Sequence, residues 1–127
     1  MTARLPTPGS DSGSWGDVLN TYLQVGHDSA GNNIGPIVEV SKSSNYTLTA
    51  AENGKRIICT AALNLTIPSV GTLGAGFECE VVNDSGGTVT IDGPGATNVT
   101  MSDGDIANIL EVNSKQRVAK GTSTVIS

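Results

Sequence analysis

Apolar and polar residues alternate with a period of two through most of the chain after residue 36. The pattern is plainest in Phe77-Glu-Cys-Glu-Val-Val-Asn-Asp-Ser-Gly-Gly-Thr-Val-Thr-Ile-Asp92. Successive strand side chains point to opposite faces, so Phe77, Cys79 and Val81 share one side and Glu78 and Glu80 take the other. With Asp84-Ser85-Gly86-Gly87 as a turn and a second alternation through Val89 and Ile91, the stretch reads as one antiparallel hairpin, packed on one face and wet on the other.

The same signature recurs at short, regular spacing. It predicts strands near 37–41, 45–49, 55–60, 63–67, 77–83, 88–92, 97–101, 106–112 and 116–120. Asn53-Gly54, Gly93, Asp103-Gly104 and Ser114-Lys115 mark turns, and Pro68 ends the strand Leu63-Asn-Leu-Thr-Ile67. Many short strands of this kind predict an all-β fold, a small antiparallel β-sandwich or jelly-roll-like domain over 37–127. The tail Gly121–Ser127 is β-prone and reads as a last edge strand or one swapped between copies.

Before residue 37 the pattern is different. Residues 1–14 hold two prolines, two glycines and hardly any apolar side chain, which predicts an extended arm. Then Trp15, Val18, Leu19, Tyr22 and Leu23 fall at i, i+3, i+4, i+7 and i+8, the spacing of one amphipathic helix over about 15–25. Ser14 is placed as its N-cap, with Asp17 in a capping-box-like role. A helix this short is marginal alone in water, so its apolar stripe has to dock on its own β-domain or on a partner. A polar linker, 26–36, separates it from the strands. The chain thus divides into an attachment segment, 1–36, and a β-domain, 37–127.

Composition narrows the chemistry. The chain has 127 residues and four aromatics (Trp15, Tyr22, Tyr46, Phe77), so its core is thin and self-association is an expected source of stability. Net charge is −5 with scattered Lys and Arg, and no basic stripe exists to neutralise phosphates, which argues against nucleic acid. No apolar run approaches the ~18 residues of a membrane span and no signal-peptide pattern is present, so a soluble chain made in the cytosol is expected. Cys59 and Cys79 fall on apolar faces of separate strands and read as reduced core thiols, with a cross-strand disulfide as the alternative.

Catalytic groups are sparse. The single histidine, His27, lies in the polar linker beside Asp28, and no nucleophile elbow, catalytic Ser/His/Asp order or phosphate-binding loop occurs. No enzyme activity, metal or cofactor is expected. Asp103-Gly104-Asp105 offers two carboxylates but lacks the spacing of a calcium loop. Glycosylation triplets at Asn45, Asn64, Asn83 and Asn98 read as chance in so Asn- and Thr-rich a chain.

The run Leu5-Pro6-Thr7-Pro8-Gly9-Ser10-Asp11-Ser12-Gly13-Ser14-Trp15-Gly16-Asp17-Val18-Leu19-Asn20 resembles the N-terminal segment of tailed-bacteriophage fibre and other virion surface proteins. In those proteins a Pro-Gly-rich lead precedes Trp-Gly and a short Leu-Asn-containing helix. The second half resembles a small β-domain of phage tail and head-fibre proteins. The resemblance there rests on Tyr46-Thr47-Leu48-Thr49, Glu52-Asn53-Gly54-Lys55-Arg56-Ile57, Leu65-Thr66-Ile67-Pro68, Gly76-Phe77 and Val89-Thr90-Ile91. These are packing and turn signatures, made more specific by their order and co-occurrence.

The resemblance implies a non-enzymatic virion protein, assembled in the host cytoplasm as a homotrimer, with the arm docked on the particle and the β-domain projecting. Its implied partners are copies of itself and the major capsid protein or a tail or baseplate protein. The implied docking residues are Leu5, Pro6 and Pro8 of the lead with Trp15, Val18, Leu19, Tyr22 and Leu23 of the helix. Fibres run on into shafts and tips, whereas this chain stops after one β-domain, so a capsid decoration (cement), head-fibre or spike protein is expected. The alternative is a tail fibre or baseplate component binding a host-surface polysaccharide. Sugar sites favour exposed aromatic platforms, and the β-domain holds only Tyr46 and Phe77, the latter on a core face.

Overall fold

The computed structural model describes residues 5–10, 13–24, 26–27, 29–30, 32 and 35–127, and the chain divides into two units, 1–36 and 37–127. In the first unit, Trp15–Gln24 forms helix α1. The predicted last helical residue, Val25, lies outside the described residues, as do Met1 to Arg4, Asp11 and Ser12 of the lead and Asp28 beside His27. The Ser14 carbonyl accepts the Val18 N–H at 3.1 Å, while among the described residues no side-chain cap by Ser14 or Asp17 is formed.

The second unit is mostly β. Its strands are β1 (Glu39–Lys42), β2 (Tyr46–Thr47), β3 (Arg56–Cys59), β4 (Leu63–Thr66), β5 (Glu78–Asn83), β6 (Val89–Asp92), β7 (Asn98–Met101), β8 (Asp105–Val112) and β9 (Lys115–Thr122). Each falls within a few residues of an alternating segment of the sequence. They build a five-stranded sheet in the order β1-β3-β5-β8-β9 and a four-stranded sheet in the order β2-β4-β6-β7.

Strand pairing departs from the antiparallel sandwich or jelly roll that alternation predicts. β1, β3 and β5 run parallel, as do β2, β4 and β6; antiparallel pairing is confined to β5 with β8, β6 with β7 and β8 with β9. Both sheets are therefore mixed. From β1 to β6 the chain alternates between them, one strand in each, so that successive two-strand turns stack on one another; β7 then stays in the smaller sheet, and β8 and β9 in the larger. Alternation reports which face is buried and carries no information on strand direction, which is why the two arrangements look alike in sequence.

Residues 77–92 are likewise not a hairpin, since β5 and β6 belong to different sheets. The cause sits at Asn83, which is fully buried. Its amide donates to the carbonyls of Gly87 (2.9 Å) and Met101 (3.0 Å), and its Oδ1 accepts from the N–H (3.1 Å) and hydroxyl (2.6 Å) of Ser85. These bonds satisfy the turn from within and carry the chain across to the other sheet, where a hairpin would have closed the ladder on itself.

The inner faces share one core. Rows of paired residues run across the strands: Val40, Ile57, Val81 and Ala107 in the larger sheet, and Tyr46, Leu65, Ile91 and Val99 in the smaller. Ile57, Leu65, Val81, Val89 and Ile109 are fully excluded from solvent. Each such aliphatic side chain contributes about 1.5–3 kcal/mol on burial. The loop between β4 and β5 is tied down by buried Glu111, whose Oε1 accepts the Gly71 N–H at 2.6 Å, and by Gln116, whose Nε2 donates to the Pro68 carbonyl at 2.7 Å.

Candidate docking surface

The helical unit presents its apolar side chains unevenly. Val18 is buried and Leu19 half-buried, whereas Trp15 is 58% exposed, Leu23 44% and Tyr22 43%. In the lead, Leu5 and Pro8 are exposed and Pro6 half-buried. All eight residues assigned to docking therefore lie among the described residues, and five of them expose much of their surface to solvent. Trp15 and Tyr22 are of the side-chain types that most often dominate binding energy when buried against a partner. Downstream, the Leu23 carbonyl accepts from the His27 N–H at 3.1 Å and from its ring Nδ1 at 3.2 Å. His27 is thus used in closing the helix end.

Cys59 and Cys79 are buried free thiols; burial pushes Cys59 up to about 11, and burial with the nearby carboxylates of Glu52 and Glu78 pushes Cys79 up to about 12. Such thiols are protonated and inert at neutral pH. The aspartates of the turns serve the fold. Asp103 Oδ1 accepts the Gly86 N–H at 2.9 Å, and Asp105, itself buried, accepts the Ser102 N–H at 3.0 Å and pairs with Lys120 at 3.5 Å. Among the described residues no three metal-ligating side chains gather. Asn83, one of the glycosylation triplets, is inside the core.

One polar cluster was legible in the sequence as Thr49-Ala-Ala-Glu52 and passed over. It is a capping box on the short 3₁₀ turn Ala50–Glu52. Glu52 Oε2 accepts from the N–H and hydroxyl of Thr49, its Oε1 accepts the Tyr46 hydroxyl at 2.6 Å, and Lys42 lies 3.6 Å from the Tyr46 ring centroid. Tyr46 is therefore engaged on its hydroxyl and on its ring, and the β unit offers no free aromatic platform among the described residues.

Two of the concavities in the β unit have linings that bear on binding. One, of about 390 Å³, is lined by Ile37, Lys55, Gly76, Glu78, Glu80 and Asn108; the other, about 610 Å³ and more open, lies between Val70, the Gly93–Thr97 loop and the start of β9.

Fold and surface define a class: a mostly β unit of two mixed sheets joined to a helical segment that carries exposed large apolar side chains. Compared with known protein families, curated proteins and solved structures, the chain matches none.

Proposed function

We propose that the protein is a non-enzymatic structural component of a tailed-phage virion, a trimeric capsid decoration, head-fibre or spike protein. Residues 1–36 attach it to the particle and 37–127 project from it. The observation that carries this reading is the exposure of Trp15, Tyr22 and Leu23 on a helix in a unit of its own, beside a Pro-Gly lead that resembles virion attachment segments. Large apolar side chains left in solvent on a marginal helix are placed for burial in a partner. Many copies binding the assembled shell, and not its dissociated parts, stabilise it by mass action.

Co-sedimentation with heads lacking tails tests the reading. The purified chain is expected to pellet with heads, and Trp15→Ala to stay in the supernatant while retaining its β spectrum. Failure to bind heads, together with competition against phage adsorption to host cells, would replace decoration by a tail component that binds host polysaccharide.

A further inference from the structure

The outer side of the five-stranded sheet carries apolar residues that the core does not use. By register, Ser41, Ile58, Val82, Ile106 and Gly121 form one row across all five strands, and Glu39, Arg56, Glu80, Asn108 and Ala119 form the next. Leu110 and Val112 continue the same face along β8. Ile58, Val82, Ile106 and Leu110 are half-buried, Val112 is 49% exposed, and none of them belongs to the core or to the side chains packed on it.

Charge on this face is divided between its two sides. At the β1–β5 side stand Glu39, Glu78 and Glu80, with Arg56 held between Glu39 (3.2 Å) and Glu80, and with Lys55 at the rim of the neighbouring concavity. At the β9 side stand Lys115 and Arg117, directly paired in register with Val112 and Leu110. Among the described residues neither cation makes an ion pair or side-chain hydrogen bond, and the Glu78 carboxylate makes none either. One face thus bears an acidic half and a basic half; Ile106, Leu110 and Val112 of β8 lie between them, and Ile58 and Val82 extend the apolar row across the acidic half.

We infer that this face is where copies of the chain meet, the acidic half of one against the basic half of the next. Two such contacts satisfy Glu78, Lys115 and Arg117 at once and bury the band of Ile58, Val82, Ile106 and Leu110. Like-charge alignments of the same faces are repelled, so charge sets the register while the apolar band supplies the affinity. The inference rests on the self-association proposed above and names its surface: in a trimer, three such faces turn toward the common axis.

The test is absolute mass in solution for the full chain, for Glu78→Lys, for the double variant Lys115→Glu with Arg117→Glu, and for the triple variant that carries all three changes. All three positions are exposed, and far-UV circular dichroism with thermal melting confirms that each variant is folded. The wild type is expected above the 12.9 kDa of one chain. The single and double variants are each expected to associate roughly tenfold or more weakly, and the triple variant to recover the wild-type mass, because its two halves have exchanged sign and every contact is again complementary. A charge-dependent dimer sustains this surface and overturns the trimer. An oligomer whose mass neither the single nor the double variant changes overturns the surface and leaves self-association standing. A wild type that is monomeric throughout overturns both, and weakened variants with no recovery in the triple variant overturn the pairing of the two halves.

Discussion

Tyr46 donates its hydroxyl hydrogen to Glu52 Oε1 at 2.6 Å, tying β2 to the 3₁₀ turn that leads into β3. Burial of Glu52 works to raise its carboxyl, but hydrogen bonds from Tyr46 and Thr49 and the charge of Lys42 outweigh it and hold Glu52 below its ordinary 4.5. Tyr46 is raised above 10.0, first by that same hydrogen bond and then by burial. The depressed Glu52 contributes stability that is present above about pH 4.5 and lost as pH falls through its folded value. The raised Tyr46 contributes stability that is present below pH 10 and lost as pH rises toward its folded value. Tyr46→Phe is therefore expected to cost about 1–2 kcal/mol at neutral pH. Denaturant unfolding at several pH values should find the gap to wild type narrowing in both acid and strong base.

Cys59 and Cys79 are expected to resist a thiol reagent in the native protein at pH 8 and to react fully in denaturant, since their thiols are buried and titrate near 11 and 12. Rapid native labelling of either would show that the β unit opens far more readily than its core packing implies.

Asn83→Ala removes four hydrogen bonds at a site with no solvent access and strands the Met101 and Gly87 carbonyls. A loss of about 3 kcal/mol is expected, measured by urea unfolding. A loss under 1 kcal/mol would mean that the turn after β5 is held by something other than this amide.

The β8–β9 turn uses two residues with left-handed backbone, Asn113 (φ 52°) and Ser114 (φ 56°). That is the geometry of a two-residue hairpin turn for which Asn-Gly is the favoured pair. Ser114→Gly is expected to stabilise the fold by about 0.5–1 kcal/mol, seen as a higher melting temperature, because Ser bears a strain there that Gly does not.

Trp15 is the one tryptophan in the chain and is 58% exposed, so its fluorescence reports on the arm alone. Acrylamide is expected to quench it strongly in the free protein and weakly once the arm has docked on its partner. Unchanged quenching in a complex that demonstrably forms would remove Trp15 from the docking residues.

Much of this architecture was readable from period alone. Alternation located the strands because each sheet buries one face, and the i, i+3, i+4 spacing located α1 because a helix brings those positions to one side. Pairing was not readable. Phe77, Cys79 and Val81 turn inward in a hairpin and in a crossover alike, and Asp84-Ser85-Gly86-Gly87 suits either; only the buried Asn83 amide tells them apart. The helix shows the complementary gap. Pattern identifies Trp15, Val18, Leu19, Tyr22 and Leu23 as one stripe, but not that Val18 is buried while Trp15, Tyr22 and Leu23 remain exposed.

Because each two-strand turn follows the same path between the sheets, height along the stack is set by how often that path is repeated. A further turn inserted between β4 and β5 would add ~4.8 Å, with the neighbouring strands offering it the same hydrogen-bonding edges they offer each other. Reach can thus change by duplication of a segment of about 20–45 residues, while β7 and the β8–β9 hairpin close the stack at any height. A protein built in this way can be resized like a ladder, one step at a time.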